Sequence, residues 1–581
     1  MYPKLTELPS SREKPYAFKG YNRNLRIGDG EFYDMQNMVS DFYPVLSPRG
    51  SRGVYASPAA TRGLIGKDAL CYVDGADFVV GDTRVAMELS GEVPKQLISM
   101  GAYVIIMPDK KYINTMDLED RGGMEVSVHV EDATIVNCDS NGESYDFEFV
   151  SDTAPVEPAD NALWLDTSGE TDVLKRYSEA DKMWSAASRT YVKISSSGIG
   201  KKFKQYDGVA ISYAEDFFYL QLNGKSVIWG CDDDYIVVEG VLKQTHTEGP
   251  LTQVSLTIER KIPEMDFVIE SENRLWGCRY GRANNGEFVN EIYASKLGDF
   301  RNWDCFMGIS TDSYTASCGT DGPFTGAITH MGYPLFFKET CVHKVYGNYP
   351  ANFRIQTTAC RGVQKGSHRS MAIVNETLFY KSRSAVCAYD GSLPVEVSFA
   401  LGNAVYRDAV AGSLGNKYYI SMKDETDTWH LFVYDTSRAM WHREDNLRCD
   451  CFCSFQGELY GIENASKKII TMLGSGTKDT KRVKWMAETG LIGTDMPEMK
   501  YISSLAARMS LAIGTRVRFL VQYDSMGVWE HITTITGRNL RSFSIPIRPR
   551  RCDHLRLRIE GEGEARIYSI TKTIEQGSDI S

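Results

Sequence analysis

The chain has 581 residues, with 42% hydrophobic side chains, 50 glycines against 19 prolines, 32 tyrosines and 24 phenylalanines; it is too long for one ordinary core, and its composition favours strands and turns. Its formal charge of -11 argues against a surface that wraps nucleic acid, because neutralising phosphates takes dense lysine and arginine. The opening MYPKLTELPSSREKPY has no apolar h-region, and runs such as AYVIIM at 102–107 are far shorter than a bilayer crossing, so neither a signal peptide nor an integral membrane span is expected.

Residues 1–60 read as a polar N-terminal arm. Beyond it, short apolar strands recur behind turn residues: DALCYVDG around Leu70, GAYVIIMP around Val104, then NRLWG at Leu275, YPLFFK at Leu335, ETLFYK at Leu378, NKYYIS at Tyr418 and GELYGI at Leu459. From Leu335 onward the anchors fall about 40 residues apart, the length of a four-stranded propeller blade. A Tyr-Asp step recurs in register at Tyr389-Asp390 and Tyr434-Asp435. The expected fold is all-β: a seven-bladed β-propeller whose blades start at these anchors, blades 1–2 in residues 61–119 and blades 3–7 in residues 263–480.

Between them, residues 120–262 form a large β-rich insertion in two parts, about 120–190 and 191–262. In the first part Trp164, Tyr177 and Trp184 suggest an aromatic mini-core. In the second, SGIGKKF lacks the glycine and the Ser or Thr that a phosphate loop needs, and Asp232, Asp233 and Asp234 lack calcium-loop spacing, so a solvated turn is expected.

Residues 481–581 alternate as an antiparallel β-sandwich. Its arginines Arg548, Arg550 and Arg551 are candidate contacts for phosphate or an acidic partner, and Arg556 and Arg558 alternate with Leu555 and Leu557, which places them on one strand face. The only cysteine cluster, Cys449, Cys451 and Cys453, reads as small strand residues rather than a zinc knuckle, and the odd total of 13 cysteines reads as reduced thiols.

No G-x-S-x-G elbow or H-E-x-x-H helix occurs, YDSMGVW (Asp524, Gly527, Trp529) is one imperfect sialidase-type box, and no Ser/His or Cys/His pair stands out among nine dispersed histidines. Paired carboxylates for glycoside chemistry are abundant but not singled out. The expectation is a chain without enzymatic activity: no catalytic residue, no metal and no cofactor.

The segment FKGYNRNLRIGDGEFYDMQNMVSDFYPVLSPRGSRG (Phe18 to Gly53) resembles the opening of tail nozzle or tail tubular protein B-like virion proteins of tailed bacteriophages and their prophage relatives. EIYASKLGDFRNW (Glu291 to Trp303), GIGKKFKQYDGV (Gly198 to Val209) and PRRCDHLRLRIEGEGEARIYSI (Pro549 to Ile570) are similar to further segments of that family. The resemblance implies a structural tail component made in the host cytoplasm and located in the virion. It also implies a homo-oligomeric, hexameric ring joined to other phage tail or adaptor proteins, around a channel whose acidic lumen lets DNA pass without sequence-specific binding. The arm would then clasp a neighbouring subunit, with Phe18, Tyr21, Asn37, Tyr43 and Arg49 as candidate contacts. The alternatives are a virion receptor- or glycan-binding propeller and, third, a secreted glycan hydrolase.

Overall fold

The computed structural model describes residues 10–577 except 16, 92, 188, 214–219, 245–247, 284–285, 479–480 and 538. The fold is all-β: among the described residues there are three single-turn 3-10 helices and no α-helix. The chain divides into two compact units, one of residues 1–95, 335–343 and 357–581, the other of residues 96–334 and 344–356.

In the first unit, four-stranded meanders repeat. One comprises Thr61–Gly66, Leu70–Asp74, Asp77–Val80 and Thr83–Ala86; another comprises Ala372–Val374, Thr377–Lys381, Val386–Tyr389 and Val395–Glu396. A third comprises Arg407–Leu414, Lys417–Lys423, Trp429–Asp435 and Met440–Arg443. The strands Cys449–Phe455, Glu458–Glu463 and Ile469–Thr471 gain their next strand from the far end of the chain, Gly53–Ala56. The first strands of these sheets, Ala372–Val374, Arg407–Leu414, Cys449–Phe455 and Thr61–Gly66, lie side by side in that order. Glycine permits the close approach: a Cβ on Gly412 would come within 2.5 Å of Phe452, and one on Gly66 within 2.9 Å of Phe455.

The second unit repeats the pattern. Its meanders are Gln96–Met100, Tyr103–Met107, Lys111–Asn114 and Arg121–Gly123, then Phe267–Ser271, Arg274–Arg282, Phe288–Ala294 and Tyr314–Ser317. Their first strands adjoin, followed by Gly326–His330. The Gln96 amide clasps the Val268 backbone at both ends, donating at 2.6 Å and accepting at 3.2 Å.

The sequence anchors Leu70, Val104, Leu275, Leu335, Leu378, Tyr418 and Leu459 all fall on the second strand of their sheets, not the first. This corrects the expected phase of the repeat. The physical reason is burial: second strands are covered on both faces, every anchor is at most 2% exposed, and so these strands read as the strongest apolar runs.

The insertion is a closed antiparallel barrel, in the order Val126–Cys138, Tyr191–Ser195, Tyr235–Glu239, Gly224–Asp232, Gly208–Tyr213 and Leu251–Arg260. The barrel takes its first strand from the earlier part of the insertion, and the small sheet Phe149–Ser151, Leu163–Asp166, Val173–Ser178 and Met183–Ala186 is nested between its first two strands. The insertion is thus a sheet within a barrel rather than two successive pieces. Ile199 and Phe203 of the GIGKKF loop are buried in the barrel core. The loop is held by Asp234, whose carboxylate accepts the Gly198 amide at 2.7 Å, and Gly200 passes so close to the Asp232 carbonyl that a Cβ would stand 1.9 Å away.

At the C-terminus, one antiparallel sheet holds Ser10–Glu13, Ala565–Gln576, Lys500–Leu511 and Arg541–Ile545. The facing strands Lys484–Thr489, Leu555–Glu562, Arg516–Tyr523 and Glu530–Thr536 continue through Glu31–Gln36 and Gly20–Tyr21 into Met440–Arg443, giving a ten-stranded sheet. One core runs under all of it, from Tyr418 and Phe432 through Phe18, Phe32 and Trp485 to Val517 and Ile567. Each large apolar side chain buried there contributes about 1.5–3 kcal/mol.

Candidate interaction sites at the joined chain ends

The N-terminal segment turns on Asn37, which sits at φ 55°, a conformation asparagine tolerates better than most residues. Its side chain donates to the Lys484 carbonyl at 2.8 Å and accepts from Arg49 Nε at 2.8 Å, while its amide donates to the Glu444 carbonyl at 2.7 Å. Arg49 reaches Asp445 at 3.2 Å, and Arg52 pairs with Glu444 and Asp445 at 2.7 Å each. Burial opposes charge on Arg49, Arg52 and Asp445. It lowers the Arg49 pKa, whereas for Arg52 the two carboxylates outweigh burial and the pKa is raised. Burial alone would raise the Asp445 carboxyl, but Arg52 and Arg49 bring it below its usual range.

Phe18 stacks on Phe32 with centroids 5.7 Å apart, and Tyr21 packs on Phe432 at 5.6 Å, with burial raising its phenol pKa. Phe18, Tyr21, Asn37 and Arg49 are therefore committed within their own chain, which corrects their expected role as contacts to a neighbour. The reason is that among the described residues of this segment the strands Gly20–Tyr21 and Glu31–Gln36 are built into a sheet with residues 440–489. Tyr43, 36% exposed beneath Arg438 at 4.6 Å, is the one of the five left at the surface.

Of the three candidate arginines, Arg548 and Arg551 are exposed. Arg550 pairs with Glu530 at 2.7 Å and lies 4.8 Å from the Tyr523 ring centre. Arg556 and Arg558 do share a face, and both clasp Glu488, at 3.1 and 2.7 Å. Arg556 also covers Tyr33 at 4.4 Å, and Arg558 covers Trp529 at 4.0 Å. A cleft of about 600 Å³ opens between the Gly28–Phe32 turn and the 489–495 segment. Lys572 on its wall is only 6% exposed and pairs with Glu13 at 2.6 Å and Asp29 at 2.8 Å.

The aromatic mini-core forms in the nested sheet: Trp184 meets both Trp164 and Tyr177 at 5.3 Å. All thirteen cysteines are free, eight of them buried. Burial pushes the Cys451 thiol up to about 12 and Cys453 to about 11, which disfavours the thiolate a metal would need. Among the described residues no group of three His, Cys, Asp or Glu side chains is placed to hold a metal ion.

The sequence did not reveal one constellation. Ser525 and His554 come within 2.7 Å, joined by strand pairing across 29 positions rather than by a local motif.

No family model matches the sequence, and no curated protein matches it. Among solved structures, the chain is similar to an exo-beta-1,3-galactanase from Phanerochaete chrysosporium at 8% identity, covering 53% of this chain and 95% of that one, with a TM-score of 0.23. It is also similar to a glycoside hydrolase at 9% identity, covering 52% and 96%, TM-score 0.19. A sialidase from Trypanosoma rangeli matches at 8% identity, covering 98% and 96%, TM-score 0.20. The expectation of a chain without enzymatic activity is not upheld: these three structures are named as a galactanase, a glycoside hydrolase and a sialidase. At these TM-scores no substrate and no catalytic residue is carried over from them.

Proposed function

We propose that the chain is a structural component of a bacteriophage tail of the nozzle or hub kind, forming a ring around the DNA exit channel and connecting to neighbouring tail proteins. The observation that carries the reading is the integration of the resembling segment. Within Phe18 to Gly53, the strands Gly20–Tyr21 and Glu31–Gln36 belong to the ten-stranded sheet, and Gly53–Ala56 adds a fourth strand, followed by Thr477–Lys478, to the sheet of Cys449–Thr471. Both chain ends are thereby locked into one body, as a part under mechanical load requires.

The finer fold within this reading is a seven-bladed propeller. It is supported by two runs of adjoining first strands, one from four sheets and one from three, each sheet anchored on a buried second strand. Closing such sheets in a ring would protect the edges that separate sheets expose. Copies would contact one another heterologously and close as a ring, with DNA passing through without sequence-specific contacts.

The test is electron microscopy of the purified protein and of virions carrying a tagged copy. Rings, and tag density at the tail, support the reading; dispersed monomers and no tag on the virion refute it.

A further inference from the structure

We propose that Ser525, His554 and Asp553 form a hydrolytic site for O-acyl esters that project from a larger molecule. The site is assembled by the register of two strands. Arg516–Tyr523 pairs antiparallel with Leu555–Glu562, and Tyr523 stands opposite Leu555. The residues that follow Tyr523 therefore meet those that precede Leu555.

The hydrogen bonds fix a single direction of proton flow. His554 Nδ1 lies 2.8 Å from Asp553 Oδ2, and His554 Nε2 lies 2.7 Å from Ser525 Oγ. An ionised carboxylate only accepts, so the imidazole carries its proton on Nδ1 and presents a lone pair at Nε2 to the serine hydroxyl. This is the arrangement of nucleophile, general base and positioning carboxylate that acyl transfer requires. The His554 bond holds the Asp553 carboxyl below its ordinary pKa, which keeps it an acceptor.

Two further observations favour a built site. Asp524 pins the loops together: its carboxylate accepts the amides of Asp553 at 2.8 Å and His554 at 3.3 Å, and its own amide donates to the His554 carbonyl at 3.0 Å. Asp524 and Ser525 are both held at positive φ, 52° and 51°, a conformation that costs non-glycine residues about 1 kcal/mol or more and that concentrates at functional positions.

Exposure sets the substrate class. Ser525 is exposed and the His554 side chain is 20% exposed, so the site suits an acyl group standing out from a polymer or protein surface rather than a small molecule enclosed in a pocket. Nearby, Arg550 lies 4.8 Å from the Tyr523 ring centre and pairs with Glu530.

In the reaction Ser525 Oγ attacks the ester carbonyl carbon and passes its proton to His554 Nε2. The carbon–oxygen bond to the alcohol breaks, and His554 returns the proton to the departing alkoxide. Water then attacks the acyl-serine with the same proton transfers, releasing the carboxylic acid and restoring the serine.

The full-length protein would be treated with a fluorophosphonate probe and mapped by peptide mass spectrometry, in parallel with hydrolysis of 4-nitrophenyl acetate. The expected result is an adduct on Ser525 and ester turnover that fall to background in Ser525→Ala. Both should fall by at least about 100-fold in His554→Gln and in Asp553→Asn, where the favoured tautomer reverses. Circular dichroism melting at the parental temperature in each variant would assign these losses to chemistry. An unlabelled Ser525, or ester turnover in Ser525→Ala equal to the parent, overturns the proposal.

Discussion

Arg369 ties three segments of the first unit together with one side chain. From its place just before Ala372–Val374 it donates to the Asp450 carbonyl at 2.7 Å in the strand Cys449–Phe455 and, through its other terminal nitrogen, to the Lys95 carbonyl at 3.2 Å. The planar guanidinium is suited to this double reach, which a lysine ammonium cannot reproduce from one position. Arg369→Ala should lower stability by about 1–3 kcal/mol, and Arg369→Lys should recover only part of it. Urea unfolding followed by fluorescence would read both, with a lower midpoint and an unchanged slope.

The buried cluster of Arg49, Arg52, Glu444 and Asp445 locks the N-terminal segment to the 440s. Arg52→Met would leave the buried Glu444 and the partly exposed Asp445 with Arg49 alone and should cost about 1–3 kcal/mol. The cluster also sets an acid limit. The Asp445 pKa is depressed in the folded state, so its contribution is present above the ordinary carboxylate range and is lost as pH falls through the folded value. Melting temperatures measured from neutral pH downward should decline less steeply below about pH 4 in Arg52→Met than in the parent, because that linkage has been removed.

Gly412 and Phe452 are matched across adjoining first strands. Gly412→Ala forces a Cβ to within 2.5 Å of Phe452 and should destabilise by about 1–3 kcal/mol. Phe452→Gly, which removes the Cβ that stands 2.5 Å away, should also destabilise, yet the double variant should be more stable than the sum of the two losses predicts. A double-mutant cycle with a coupling near zero would contradict the close packing.

Phe203 stops one loop of the barrel by filling its core. Phe203→Ala should cost about 3–5 kcal/mol locally, and hydrogen exchange should rise in the strands Tyr191–Ser195 and Tyr235–Glu239 while the C-terminal strands Lys500–Leu511 and Ala565–Gln576 keep their protection.

How much of this was legible in the sequence depends on where each residue's partners lie. The second strands were readable, since Leu335 to Phe337 and Leu378 to Tyr380 are apolar without interruption and buried on both faces. The first strands were not: Cys449–Phe455 alternates weakly, and its defining feature is a glycine on the neighbouring strand. Trp164, Tyr177 and Trp184 were legible because they close a local hairpin. Phe18 and Tyr21 were misread as external, because their partners Phe32, Phe432 and Trp441 are supplied partly by strands some 400 positions away, and a polar flanking sequence hides such a commitment. The Ser525 and His554 pair was invisible for the same reason, being made by register rather than by spacing.

Cryo-electron microscopy of the purified full-length protein tests the central claim most directly. The account predicts copies assembled in a closed ring, each with seven radial four-stranded sheets about one axis and the N-terminal strand Gly53–Ala56 bound on the Cys449–Thr471 sheet. Single copies that never associate, with these sheets stacked as separate layers and no shared axis, would contradict it.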